Sequence, residues 1–85
     1  MDTTSIEKFL DLSATKQKVV NVHFKDRSTV TGIFVALRDF DELKAKNFWR
    51  VVNVKNIKQW EQKKDIELSR LFNGASFTRL SANSK

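Results

Sequence analysis

The 85-residue chain has no cysteine, no proline and only two glycines, Gly32 and Gly74. Without cysteine there is neither a disulfide frame nor a thiolate metal site, and secretion into an oxidising compartment is not favoured. With proline absent, the two glycines are the best punctuation of the backbone that the sequence offers. No apolar run approaches the ~18 residues that a membrane span needs. The start, Met1-Asp2-Thr3-Thr4-Ser5, has neither the basic nor the apolar region of a signal peptide, so a cytoplasmic protein with no membrane partner is expected. Histidine occurs once, as His23, with no fixed acid beside it in the sequence. A zinc site would then depend on carboxylates around a single imidazole, and a serine nucleophile would lack an oriented base. There is no nucleophile elbow, phosphate-binding loop or dinucleotide fingerprint. These absences argue against an enzyme and against any cofactor.

What is present is enough to fold. Hydrophobic residues make up 40% of the chain, with seven Phe and two Trp, a profile far from that of disordered chains. At this length there is room for a single domain spanning 1–85, which buries only about 60–65% of the surface exposed by the unfolded chain. Such a domain is marginally stable, and a partner subunit could support it. The formal charge is +6 and uneven: Met1–Leu12 carries −2, leaving +8 on Ser13–Lys85. A basic field favours polyanions, nucleic acid foremost, because neutralised phosphates release counterions. Surplus lysine that only keeps a small protein soluble is the competing explanation.

Periodicity places the elements. Ile6, Phe9, Leu10 and Leu12 recur at helical spacing after Ser5, a candidate N-cap, predicting a helix over about 5–12. Across Lys18–Lys25 the period changes to two, with Val20, Val22 and Phe24 on one face, which is the pattern of a strand. Asp26-Arg27-Ser28 supplies a turn, and Thr29–Leu37 resumes as a second strand with Gly32 in its middle. There Val30, Phe34 and Ala36 oppose Ile33, Val35 and Leu37, so both faces should be covered, and Gly32 should mark a bend or a close backbone approach. Asp39–Lys46 offers acids early and lysines late, which suits a short helix. Phe48–Val54 reads as a third strand, and Asn56–Lys64 as a helix capped by Asn56 or a loop. Leu68–Phe72 and Ala75–Leu80 flank Asn73-Gly74, a strong hairpin signal. Ser81–Lys85 reads as a frayed tail.

The stretches Val22–Phe34, with Lys25-Asp26 before Thr31-Gly32, and Arg70–Ser81, around Asn73-Gly74, resemble the two motifs of the Sm-like superfamily. The order of elements is also similar, over roughly two thirds of the chain. The resemblance implies a mostly β fold with short helices: a small, strongly bent SH3-like or Sm-like β-barrel of about five strands behind an N-terminal helix. It also implies a possible homo-oligomeric ring formed through open strand edges, unless the segment 41–64 caps one of them. Arg27 stands where the family usually has the turn glycine, Asn73 where it has arginine or lysine, and the Asp-x-x-Met-Asn stretch of the RNA pocket has no counterpart.

The candidate binding residues form two sets. Trp60 lies among Lys55, Lys58, Lys63 and Lys64, and Lys16, Lys18, Lys25 and Arg27 follow the first strand and turn. Aromatics interleaved with cations suit single-stranded nucleic acid, in which each stacked base contributes ~1–3 kcal/mol. Asn73 joins them through the second motif, and Phe72 is a further stacking candidate. Both tryptophans could instead be core and the lysines a solvated face. Asp39, Asp41 and Glu42 could serve as paired carboxylates or a Mg²⁺ site, or simply complement a helix dipole. The resulting expectation is a non-catalytic module that binds single-stranded RNA. The alternative is a protein-interaction barrel using an open strand edge or an apolar outer face of Ile33, Val35 and Leu37.

Overall fold

A carboxylate sets the start of the first helix. In the computed structural model, which describes residues 1–13 and 19–82, α1 runs Thr3–Ser13, and the Ser5 N–H donates to Asp2 Oδ1 at 2.8 Å. Asp2 therefore satisfies a donor that the helix leaves unpaired, which moves the cap from the expected Ser5 to Asp2. The helix lays Ile6, fully buried, and the partly buried Phe9 and Leu10 against the sheet.

The strands are β1 (Val20–Phe24), β2 (Val30–Val35), β3 (Phe48–Asn53), β4 (Ser69–Asn73) and β5 (Phe77–Ala82), with α2 (Phe40–Ala45) before β3 and α3 (Ile57–Lys63) after it. They form one antiparallel five-stranded sheet in the order β4-β3-β2-β1-β5. Lys18, at the head of the expected first strand, lies outside the described residues. The sheet does not close into a barrel, because β4 and β5 are its two edges and do not pair with each other. The hairpin expected at Asn73-Gly74 is accordingly absent. Asn73 has φ −86°, neither glycine has positive φ, and Asn73 Oδ1 accepts the Ala75 N–H at 2.9 Å. A one-turn 3-10 segment, Gly74–Ser76, thus carries the chain from one edge strand to the other. Glycine is needed at 74 for space, since a Cβ there would lie 2.7 Å from Ile6 Cδ1 and overlap the Asn47 side chain. Ser81 and Ala82, expected in a loose tail, pair with Asn21 and Val20; residues 83–85 lie outside the described chain.

Side-chain alternation then divides the core into two layers. The inner face of the sheet, under α1, gathers Val20, Val22, Trp49, Val51, Phe72, Phe77 and Leu80 around Ile6. The outer face places Ile33, Val35 and Val52 beneath Trp60 of α3, with Ile57, Leu37 and Leu68 at the margin. The second strand is covered on both sides, as its sequence predicts. Gly32 supplies the close approach: a Cβ there would overlap the Val52 carbonyl oxygen and lie 2.9 Å from its carbon. The sheet curls enough that Phe24 of β1 meets Phe72 of β4, with two strands between them in the sheet, at a ring-centroid distance of 5.4 Å. The Lys25 N–H donates to the Ser76 carbonyl oxygen at 3.3 Å, joining the β1–β2 turn to the 74–76 turn.

Asn47 forms the corner where the ends of these elements converge. It is left-handed, with φ 63°, a conformation asparagine tolerates better than most residues. Its Oδ1 accepts the Trp49 indole N–H at 2.8 Å, its Nδ2 donates to the Met1 carbonyl oxygen, and its own carbonyl accepts the Gly74 N–H. The buried tryptophan therefore keeps its one polar atom satisfied.

Candidate functional site

The expected binding residues separate into two places. One is the helical segment over the outer face. Asn53 Oδ1 accepts the Lys55 N–H at 2.9 Å and opens a one-turn 3-10 segment, Val54–Asn56, that leads into α3. Asn56 occupies the cap position of α3 without a side-chain cap bond, so Asn53, and not the expected Asn56, anchors this connection. Ile57 and Trp60, three residues apart, turn one side of α3 to the sheet, and Lys58, Lys63 and Lys64 are exposed.

Two expectations fail at α3. Trp60 is only 3% exposed, with Lys64 Nζ 5.5 Å from its ring centroid, so no base can stack on it. The helix also covers Ile33 and Val35, with Leu37 half-buried beside them, which removes the apolar outer face as a docking surface. The segment 41–64 contributes α2 and α3, and α3 packs on a face of the sheet while β4 remains an edge.

The second place is the β1–β2 turn. Here the Arg27 guanidinium carbon lies 5.3 Å from the ring centroids of both Phe24 and Phe72. Phe24 in turn meets Phe77 edge-on at 5.3 Å, so the platform rests on the inner core. Phe72 itself is buried, and its accessible partner is Arg27. Lys25 and Asn73 are exposed at the same end, Asn73 directly following Phe72. Lys25, Arg27 and Asn73 thus form one group, and Lys55, Lys58, Lys63 and Lys64 another. Lys16 and Lys18 lie outside the described residues.

Among the described residues only Lys44, with Glu7 at 2.8 Å, and Arg50, with Asp39 at 2.7 Å, have ion-pair partners. The cations of both candidate groups have no acid within ion-pair distance among the described residues, so their field is directed to solvent. The Arg50 guanidinium donates from Nη2 and Nε to Asp39, holding that carboxyl below its ordinary value of 3.8. The Asp2 carboxyl is likewise lowered by its hydrogen bonds from Ser5. Asp41 and Glu42 sit in the first turn of α2, where they complement its dipole. No grouping of three or more His, Asp or Glu side chains suited to a metal occurs among the described residues.

A depressed folded-state pKa adds stability that is present above the unfolded value and lost as pH falls through the folded one. The thermal midpoint is therefore expected to fall on acidification below about pH 4, and Asp39→Asn to flatten part of that decline. An acid limb in the melting curve identical to wild type would show that the Asp39–Arg50 pair does not contribute.

His23 lies on the outer face of β1, with Nε2 3.2 Å from Ser81 Oγ and 3.4 Å from Arg79 Nη2, and Nδ1 3.3 Å from Thr29 Oγ1. The hydrogen-bond contacts of its ring are thus two hydroxyls and a guanidinium.

No family model, curated protein or solved structure matches this chain. Residue geometry therefore carries the functional reading. Within it, the Phe24–Arg27–Phe72 stack is the feature least visible in the sequence, since its rings lie on strands far apart along the chain and meet only through the curl of the sheet.

Proposed function

We propose that this chain is a non-catalytic binding module that takes single-stranded RNA on its basic surface. The observation that carries this is Arg27. Its guanidinium is held against two aromatic rings, is exposed, and has no acidic partner within ion-pair distance among the described residues. Held this way, it loses little side-chain freedom when its planar fork meets a phosphate. Lys25 beside it and the lysines of α3 extend the positive field, and a buried Trp60 shifts the reading from base stacking towards phosphate contact.

Affinity for a labelled oligo-uridine strand, followed by fluorescence anisotropy, is expected to fall roughly tenfold between about 50 and about 200 mM salt, as a few phosphate contacts require. Arg27→Glu should weaken it by a similar factor. Absence of binding at the lower salt would sink the proposal. The sequence resemblance to the Sm-like superfamily supports the same reading.

A second reading, protein interaction, draws on the two unpaired edges. On the β4 edge Leu71 is 47% exposed. Edge strands present unpaired N–H and C=O groups that another strand can complete, including one from a second copy of the chain. A gel-filtration mass above that of one chain would favour this reading.

A further inference from the structure

Between the segment leaving β2 and the segment following α3 lies a groove of about 630 Å³, lined by Leu37, Arg38, Asp39, Lys64, Asp65 and Ile66 and open to solvent on one side. This volume falls within the range of about 300–1,000 Å³ common to small-ligand sites. Leu37 is half-buried against the outer core layer and Ile66 is 46% exposed, so the floor is apolar surface that a flat ligand could cover.

The charges around the groove are not mutually satisfied. Asp39 is engaged by Arg50 at 2.7 Å, whereas Arg38 and Lys64 have no acid within ion-pair distance among the described residues. Lys64 is also held in place. It ends α3 with φ 51°, its N–H donates to the Trp60 carbonyl at 2.8 Å, and its ammonium lies over the Trp60 ring. Asp65 Oδ1 accepts the Glu67 N–H at 3.0 Å. A carboxylate has about four lone-pair sites, so Asp65 keeps capacity to accept from a ligand.

We propose that this groove holds one nucleotide unit of a bound single strand. Its phosphate lies between Arg38 and Lys64, its base rests on Leu37 and Ile66, and a base N–H donates to Asp65. An apolar ligand would leave both cations unmatched, and a small zwitterion would leave much of the volume to water. The open side admits a continuous strand, which an enclosed cavity would not. The subsite rests on the RNA-binding reading and adds a place where a base, and not only phosphate, is held. Its residues are distinct from the Arg27 platform.

The test uses the full chain with methyl-labelled Leu and Ile, titrated with oligo-uridine and separately with uridine monophosphate. Oligo-uridine is expected to shift the Leu37 and Ile66 methyl resonances. Arg38→Glu combined with Lys64→Gln should weaken binding about tenfold or more, the scale expected for losing two cations from one phosphate contact, while the chain stays folded at the titration temperature, its midpoint lowered only by the loss of the Lys64–Trp60 contact. In the Arg27→Glu variant the same methyls should still shift at saturation. If the strand binds but these methyls do not move, or the double variant binds as wild type does, the subsite is wrong and the RNA reading stands. If the monophosphate binds as tightly as the strand, the groove is a free-nucleotide site and the strand assignment fails. If no strand binds at low salt, the RNA reading itself falls, and the subsite with it.

Discussion

Gly32→Ala is expected to destabilise the chain by about 3 kcal/mol, the upper end of the usual cost of forcing extra volume into a packed interior. The new methyl would overlap the Val52 carbonyl oxygen and lie 2.9 Å from its carbon and 3.1 Å from Asn53 Cα. All three are backbone atoms, so no side chain can turn aside to make room. Relief requires β2 and β3 to separate where Gly32 pairs with Asn53, in the middle of the sheet. For a domain of this size each kcal/mol corresponds to roughly 4–8 °C in melting temperature, so a fall of about 12 °C or more is expected in a thermal melt. A midpoint within about 2 °C of wild type would mean that the backbones are not in close approach.

Trp60→Ala should cost about 3–5 kcal/mol, as truncation of a buried tryptophan usually does. The indole roofs Ile33, Val35 and Val52, and nothing else in α3 is large enough to replace it. A contribution of ~0.5–1 kcal/mol from the Lys64 ammonium over its ring would be lost as well. Urea unfolding measures the sum. Trp60→Phe retains most of the burial and should bind oligo-uridine as wild type does. A near-neutral Trp60→Ala would show that α3 does not close the outer core, and a large loss of RNA affinity in Trp60→Phe would return the ring to the binding surface.

Much of the architecture was legible because the period of two is a local signal. Val20, Val22 and Phe24 alternate, and the doubly apolar second strand announced two covered faces. The layer over its outer face was harder to see. Trp60 sits among lysines in the sequence, yet only its spacing from Ile57 determines which side of α3 faces the sheet. Asn73-Gly74 misled for a related reason. The pair is permissive for a tight hairpin, but here Asn73 uses its side chain to cap the next turn, and glycine is required by Ile6 and Asn47, residues distant in the chain. In the candidate site, Arg27 was found as a basic turn residue, while its two-ring seat was not. Arg38, which lines the same groove as Lys64, had no local pattern to mark it.

The strand order also governs how the molecule is built during synthesis. β2, β3 and β4 can zip onto one another as each emerges, but the free side of β1 must wait for β5, with Val22 meeting Leu80 across most of the chain's length. Long-range pairing of this kind is slow relative to local zipping. Until it happens, a nascent copy displays an unfilled slot shaped for its own last strand, which the same strand of a neighbouring nascent copy would fit equally well.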